Sequence, residues 1–357
     1  MSGSADLDWQ VRQASSDDAE VIATLINAHA RHHCGEDSIG LDEVRTWFKS
    51  PGARQDDTRS WWRRDGTMAA YAQVYRPGFP PAWDVLHDVT VHPDASGDDG
   101  LWDDIFSWCD GYQWKIREQT GAPGTGICCG ARVHETDVNK RRQYESRGFQ
   151  HVRNETLMRV GLTEAVPRDI KMPGGVKVRQ FDLGKDLEGY ALAYGEAFRD
   201  HWGHVDLPLD EWVRRKKAEF ESWSEMYVPN LWFVALEDDV MVGSVGSFPN
   251  YGNVIGRCYL YHVFVRQAWR NRRIATMLLR TAFQTLQKRG GKTVELHVDS
   301  DNMTYGIELY RGLGMRPVLH QRLYEKTVPT SSRQPSYTQR GEAQECSSCG
   351  VERQVQD

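Results

Sequence analysis

Two segments of the chain recur at almost constant spacing, and this repeat constrains the fold more than any other feature of the sequence. Val11-Arg12-Gln13 returns 167 residues later as Val178-Arg179-Gln180, and Tyr144–Phe149 returns 166 residues later as Tyr310–Met315. A nearly constant offset over a domain-sized distance is typical of an internal duplication. The sequence therefore predicts two similar domains in tandem. The alternative is one large α/β domain with a chance similarity.

Within the first repeat, the predicted strands and helices alternate as in an α/β domain. Capping residues from Ser15 open a helix through Ile22 and Leu25, and Asp65-Gly66 predicts the turn of a hairpin. The further predicted elements are a strand over 85–93, a helix over 101–114, a strand over 125–133, a helix from about Asp137 and a strand ending near Val160.

The repeat and the local composition together give the domain boundaries. We predict an arm at 1–9, a first domain at 10–161, a linker at 162–175, a second domain at 176–327 and a tail at 328–357. The tail almost lacks large apolar residues, so we expect it to be disordered. Its Cys346 and Cys349 have no second pair of ligands, and we interpret them as a chance pair of thiols, not a zinc or redox site.

The composition argues against several classes of function. The chain has 357 residues, 26% of them charged, and its net charge of −6 gives no basic excess for binding nucleic acid. No apolar run approaches the length of a membrane span, and the first residues lack the apolar core of a signal peptide. Seven cysteines, an odd number, indicate reduced thiols. We therefore expect a cytoplasmic protein with no membrane partner, and the oligomeric state is not encoded in these features.

The stretch from Tyr259 to Leu279 combines a strand, a basic turn and a helix. A β-rich run ends at Val265, four arginines follow within residues 266–273, and apolar residues then recur at helical spacing from Ile274. The first amide groups of a helix lack intrahelical partners, and the helix dipole favours an anion there. This stretch therefore predicts an anion site, and the alternative is a solvated basic turn before an amphipathic helix.

This unit resembles the acyl-CoA-binding motif of GNAT-type N-acyltransferases. In that family a turn of the pattern Arg/Gln-x-x-Gly-x-Gly/Ala binds the pyrophosphate of coenzyme A, and Arg270–Ala275 matches its first and last positions. The fourth position departs from the pattern, because Arg273 stands in place of a glycine that lets the backbone approach the phosphate. The departure implies a loop that lies further from the phosphate or binds it more weakly.

Two neighbouring signatures extend the resemblance to about residues 176–327. Downstream, an alternating strand from Thr293 leads to Asn302 and to a helix ending in Leu-Tyr-x-x-Leu-Gly-Met at Met315, close to the family pattern. Upstream, residues 231–243 predict a hairpin that turns at Glu237-Asp238-Asp239. The implied fold class is α/β, with two tandem GNAT-like domains. Each would be a mixed, mostly antiparallel sheet with a central splayed pair of parallel strands, flanked by helices.

The resemblance implies that the second domain uses acetyl-CoA as cosubstrate, and we expect no metal in the protein. The backbone around Val263 would pair with the pantetheine arm, and the helix N-terminus would hold the pyrophosphate. The predicted cofactor-binding residues are Val263, Phe264, Val265, Arg270, Asn271, Arg272, Arg273, Ile274, Ala275, Thr276 and Asn302.

The first domain has an acidic turn at the corresponding place. The segment 94–100 contains Asp94, Asp98 and Asp99 and no Arg or Lys, so its charge would repel a pyrophosphate. We therefore predict that this domain no longer binds coenzyme A. It would instead support the cleft, complete the fold or bind another ligand.

The resemblance also implies candidate catalytic residues. Tyr310 matches the family tyrosine that protonates the departing thiolate, although a tyrosine there also packs well. For the general base, His297 is the first candidate and Glu295, two residues before it on the same strand face, is the second. His262 alternates to the other face from Tyr259 and Tyr261, so we interpret it as structural.

The predicted acceptor site is the end of the second domain's first helix, which edges the acceptor cleft in the family. Its candidate substrate-binding residues are Glu196, Asp200, His201 and Trp202, since acidic and aromatic groups suit a cationic amine. The implied function is transfer of an acetyl group to a primary amine of a small molecule, in an arrangement similar to mycothiol-synthase-like and antibiotic-modifying acetyltransferases. A longer acyl donor and a non-catalytic binding module remain as alternatives.

Overall fold

The computed structural model of the chain describes residues 9–49, 57–75, 83–120, 126–162, 174–202, 204–223, 226–299 and 304–329. Most of the predicted linker, and the tail with Cys346 and Cys349, lie outside the described residues. None of the helices in the described ranges has the length and apolar character that crossing a bilayer requires.

The first half of the chain alternates strands and helices as the sequence predicts, with one further helix at Leu41–Lys49. Its elements are β1 (Gln10–Arg12), α1 (Ala19–Cys34), α2 (Leu41–Lys49), β2 (Thr58–Trp62), β3 (Met68–Tyr75), β4 (Val85–Val91), α3 (Asp99–Thr120), β5 (Ile127–His134), α4 (Val138–Ser146) and β6 (Gln150–Gly161). Gly66 has a φ of 84°, which confirms the predicted turn between β2 and β3.

The second half repeats the same order of elements. They are β7 (Val176–Gln180), α5 (Leu183–Ala197), α6 (Leu209–Ser222), β8 (Trp232–Glu237), β9 (Val240–Phe248), β10 (Arg257–Val265), α7 (Ile274–Lys288), β11 (Thr293–Asp299), α8 (Thr304–Gly312) and β12 (Arg316–Val328). Asp238 and Asp239 both have positive φ, as a two-residue hairpin turn requires, so the predicted hairpin is confirmed. The last strand ends at Val328, one residue past the predicted boundary at 327.

Each half contains one pair of parallel strands that part after a short contact. Strand β10 pairs with β11 only from Arg257 to Tyr259, although both strands continue well beyond these residues. Strand β4 pairs with β5 only from Val85 to His87. The predicted splayed pair is thus present in both halves, and every other strand pairing is antiparallel.

The two halves join into a single sheet by exchanging their last strands. The sheet of twelve strands runs in the order β1-β2-β3-β4-β5-β12-β6-β11-β10-β9-β8-β7. Strand β6 of the first half lies against β11 of the second, and β12 of the second half lies against β5 of the first. The exchange leaves neither β5 nor β11 as an open edge, which would otherwise expose a row of unpaired backbone groups.

Because of the strand exchange, the hydrophobic core of each half includes residues from the other half. Met158 and Leu162, from the first half, are buried in the core of the second half. Tyr324 and Val328, from the second half, are buried in the core of the first. Each half therefore requires apolar side chains from the other to complete its core.

Candidate active site

The turn before α7 keeps a glycine-type backbone although it contains no glycine. Arg273, the N-cap of α7, has φ 63° and ψ 15°, and Asn271 also has φ 63°. Both values lie in the left-handed region that residues other than glycine seldom adopt. The backbone of the turn therefore has the conformation that a glycine at position 273 would allow. Any displacement of the loop from a phosphate would come from the Arg273 side chain and not from the backbone.

We expect Arg273→Gly to stabilise the fold, because it removes the strain of a side chain in the left-handed region. The gain in the free energy of unfolding should be about 1 kcal/mol, measured by denaturant titration. Arg289→Gly is the matched control, because Arg289 caps the other end of α7 with a φ of −96°. That change should give no gain, and equal gains in both variants would contradict the assignment of strain to Arg273.

The arginines of the turn contact the acids that the sequence predicts for acceptor binding. Arg266 lies 2.6 Å from Glu196. Arg270 lies 3.3 Å from Asp200 and donates to the carbonyl of Ala197 at 2.7 Å. The two predicted sites therefore meet at the end of α5, where Glu196 and Asp200 pair with arginines of the turn.

The two remaining arginines of the turn differ in their partners. Arg272 contacts Glu237 in the β8–β9 hairpin, with Nη1 at 3.1 Å from Oε2. Arg273 is exposed and forms no ion pair among the described residues. Arg273 is therefore the arginine of the turn whose charge is not paired with an acid among the described residues.

The gap between β10 and β11 exposes one backbone edge of the predicted pantetheine strand. Val263, Phe264 and Val265 pair with β9 on one side, and the pairing with β11 on the other side has ended by Tyr259. The Phe264 and Ile274 side chains are buried in the core, so these two residues could offer a ligand only backbone groups. Ala275 and Thr276 are half-buried in the first turn of α7, and Asn302 lies outside the described residues.

A β-bulge in β10 overturns the predicted alternation around His262. The register shifts between Leu260 and His262, so Tyr261 is the extra residue. Both Tyr261 and His262 contact the ring of Trp232, and they do not point to opposite faces as a regular strand requires. His262 is buried against Tyr190 and Ser244, and burial lowers its pKa well below the ordinary value.

His297 lies beside Tyr259 across the splayed pair. Its Nδ1 is 3.0 Å from the Tyr259 hydroxyl, and its side chain remains open to solvent. Desolvation by the surrounding protein lowers the pKa of His297, with Glu155 opposing that shift in part. If Nδ1–H donates to the Tyr259 oxygen, the lone pair of Nε2 is free to accept a proton.

Glu295 is buried in a network of arginines. Its carboxylate accepts from Arg159 Nε at 2.6 Å and lies 3.8 Å from Arg257 Nε. Only 4% of its surface is exposed. Because this carboxylate is buried and already paired with arginines, it is not open to an amine, so the structure favours His297 of the two candidates.

Tyr310 lies on α8 and packs against the core of the second half. Burial raises its pKa to about 12, so the phenol stays protonated at neutral pH. Its hydroxyl makes no hydrogen bond within the described part of the chain. The group is therefore in the protonation state that a general acid needs.

His201 and Trp202 differ from the two predicted acceptor acids in their surroundings. His201 is exposed and contacts Phe198, and burial of part of its ring lowers its pKa. Trp202 packs on Trp83 of the first half, with ring centroids 5.7 Å apart. Trp202 therefore contributes to the contact between the halves.

Sequence reasoning missed a buried ion pair on α6. Lys216 lies 3.0 Å from Glu219, and the Tyr261 hydroxyl donates to the other Glu219 oxygen at 2.6 Å. Burial lowers the pKa of Lys216 to about 8 and raises the pKa of Glu219. The signal was present in the sequence, because Trp212, Lys216 and Glu219 share one face of the helix, where charged residues are unusual.

The acidic turn of the first half caps its own helix. The Asp98 carboxylate accepts from the N–H of Leu101 at 2.9 Å, at the start of α3. Asp99 pairs with Arg142 at 2.7 Å. A carboxylate thus occupies the place where the second half has an arginine-rich turn, which supports the prediction that the first half does not bind coenzyme A.

Known proteins resemble the chain at the level of family. Residues 193–315 match the model of the acetyltransferase (GNAT) family. Proteins named mycothiol acetyltransferase are 29% identical over 39% of the chain in Nocardiopsis dassonvillei, 31% over 38% in Kytococcus sedentarius and 29% over 47% in Streptomyces scabiei. The chain spans 42%, 46% and 51% of the length of these three relatives.

Solved structures match almost the whole chain. A GCN5-related N-acetyltransferase from Sphaerobacter thermophilus superposes with a TM-score of 0.76 at 25% identity, covering 91% of this chain and 98% of that one. A tandem GNAT protein from the clavulanic acid biosynthesis pathway shares the fold, with a TM-score of 0.67 at 13% identity, over 91% of this chain and all of that one. Residues 193–315 therefore belong to the acetyltransferase (GNAT) family, and the whole chain has the fold of a tandem GNAT protein.

Proposed function

We propose that the chain transfers an acetyl group from acetyl-CoA to a primary amine of a small molecule, and that the second half carries the reaction. The turn before α7 is the observation that carries the proposal. Arg273, with its left-handed backbone, begins α7, whose first amides lack intrahelical acceptors, and β10 has parted from β11 after Tyr259, upstream of this turn. The family match over residues 193–315 supports the same half.

The chemistry requires a base for the amine, donors for the oxyanion and an acid for the thiolate. We assign the base to His297, held through Nδ1 by the Tyr259 hydroxyl. A backbone N–H on the unpaired edge of β10 would polarise the thioester carbonyl. Tyr310, kept protonated by its raised pKa, would return a proton to the thiolate of coenzyme A.

The surroundings of β10 favour a cationic acceptor. Glu219 is buried beneath Tyr261, and the ring of Trp223 lies 4.4 Å from that of Tyr261. Carboxylate and aromatic groups together attract an ammonium. Lys216 offsets the charge of Glu219, so Tyr261 and Trp223 would carry most of this preference.

We expect His297→Gln to flatten the acidic limb of the rate–pH profile and to lower the plateau about 100-fold or more. A base works only when neutral, so the wild-type rate should fall as the pH drops through the pKa of His297. Because that pKa is lowered, the wild-type limb should lie below the ordinary histidine value of about 6.5.

Glu219→Gln is the competing variant in the same measurement. An acidic limb that survives in His297→Gln and vanishes in Glu219→Gln would contradict the assignment and make Glu219 the base. Melting temperature and coenzyme A affinity, measured for both variants, separate a chemical effect from a loss of fold.

The reaction itself is tested by incubating the full chain with acetyl-CoA and a panel of primary amines. Release of the coenzyme A thiol above the amine-free rate is the expected result. Faster release from butyryl-CoA or decanoyl-CoA would favour the longer donor. Binding of acetyl-CoA with no amine-dependent release would favour a non-catalytic module and contradict the proposal.

A further inference from the structure

The first half contains a cluster of metal-ligating side chains at the end of α1. His29 and His33 lie four residues apart, so both project from one face of the helix. Asp137, the N-cap of α4, lies against them, with Oδ2 at 3.0 Å from His29 Nε2 and 3.5 Å from His33 Nε2. The ligand atoms of the three residues all lie within 4.8 Å of one another.

A third imidazole completes the surroundings. His134, the last residue of β5, has its ring centroid 5.2 Å from that of His29 and 5.5 Å from that of His33. Tetrahedral zinc with ligands at about 2.0–2.1 Å keeps neighbouring ligand atoms about 3.4 Å apart. The separations between Asp137 and the two histidines are close to that value, so modest side-chain rotations would suffice to bind an ion.

Outer hydrogen bonds hold the ligands in orientation. His33 Nδ1 lies 3.0 Å from the Thr136 hydroxyl, which leaves Nε2 directed at Asp137. The Asp137 Oδ1 accepts from the Lys140 N–H at 2.9 Å, which leaves Oδ2 directed at the histidines. Such outer partners are typical of metal sites, where they fix the tautomer of each imidazole.

The cluster is buried and has the charge that a cation needs. His29 and Asp137 are 8% and 5% exposed. The Asp137 carboxylate brings a negative charge against the two imidazoles. The buried ammonium of Lys140 opposes a cation, but its Nζ donates to the carbonyl of Val89 at 2.6 Å.

The place of the cluster in the repeat is informative. The offset of 167 residues maps His29 onto Glu196 and His33 onto Asp200, which pair with Arg266 and Arg270 in the second half. The first half therefore has imidazoles where the second half has acids that contact an anion-binding turn. This difference in side chains accompanies the acidic turn at Asp98, which stands where the second half has arginines.

We propose that the first half binds one divalent transition metal ion, with zinc as the best fit, through His29, His33 and Asp137, and with His134 or water as the fourth ligand. The ion would take the place of the direct contact between His29 and Asp137, and it would tie α1 to the start of α4. The competing explanation is that these histidines are held by hydrogen bonds alone and bind no ion. The inference is independent of the acetyl transfer proposed above.

The test uses the full chain with Cys346 and Cys349 both replaced by Ser, so that the tail thiols cannot contribute. After treatment with a chelator, calorimetric titration with Zn²⁺ should give one site per chain, and Zn²⁺ should raise the melting temperature. His33→Gln should weaken binding at least 10-fold. His32→Gln is the matched control, because His32 is an exposed neighbour outside the cluster, and it should leave the affinity unchanged.

Three results would overturn the proposal. They are no binding of Zn²⁺ by the chain that lacks the tail thiols, equal affinity in His33→Gln and the parent, and an equal loss in His32→Gln. Should a variant fail to fold, Co²⁺ bound to the parent gives a second measurement. Visible absorption bands of four-coordinate Co²⁺ with nitrogen and oxygen ligands support the site, and their absence contradicts it.

Discussion

Replacing Arg270 with Glu is expected to reduce the affinity for coenzyme A more than 100-fold. Loss of one charge-assisted hydrogen bond to a phosphate costs about 1.5–3 kcal/mol, or about 10- to 100-fold in Kd, and a carboxylate at the same place adds repulsion. The new carboxylate would also face Asp200, which lies 3.3 Å from Arg270. Arg270→Gln removes the charge-assisted hydrogen bond without adding a negative charge, so it should show only the loss of about 10- to 100-fold.

The measurement is calorimetric titration with coenzyme A, which should give one site per chain in the parent. Arg289→Glu is the matched control, since it makes the same change of charge at the opposite end of α7. The affinity of this variant should stay within about 3-fold of the parent's, because salt screens the interaction between the cofactor and a charge at the far end of the helix. Unchanged affinity in Arg270→Glu would contradict the location of the cofactor turn. Two equivalent sites in the parent would contradict the prediction that the first half does not bind coenzyme A.

Tyr310→Phe is expected to lower turnover about 10- to 1000-fold with little change in the affinity for coenzyme A. The change removes one hydroxyl and leaves the ring packed on the core. Because burial raises the pKa of Tyr310 to about 12, the wild-type rate should not fall from loss of this proton until the pH is strongly alkaline.

The repeat supplies the control for this variant. Tyr144 occupies the corresponding position in the first half, fully buried among Phe106, Phe149 and Tyr324, and its hydroxyl has no partner among the described residues. Tyr144→Phe should leave turnover unchanged. Equal losses in both variants, or a large fall in melting temperature with Tyr310→Phe, would assign Tyr310 a packing role.

The two positions show why the repeat alone could not assign function. Both tyrosines precede a glycine with positive φ, Gly148 and Gly314, that ends a helix. The same local geometry thus recurs whether or not the half carries chemistry. The distinction between the halves lies in the turns, where Asp98 caps α3 and Arg273 begins α7.

The sequence by itself determined the duplication, the family and the order of most elements. Strand alternation, helical spacing and turn residues such as Asp65-Gly66 act over a few residues, so they are readable without tertiary contacts. Helix α6 was not predicted, because Lys216 and Glu219 interrupt the apolar stripe on its buried face.

Only the tertiary structure decided the exchange of β6 and β12, the bulge at Tyr261, the pairing of Arg270 with Asp200 and the cluster of His29 with Asp137. The members of that cluster are 108 residues apart in the chain. Contacts of this kind depend on which strand closes which edge and on which side chains meet across the sheet. Local periodicity contains no information on either, because both follow from burying long-range apolar surface and pairing the charges that remain.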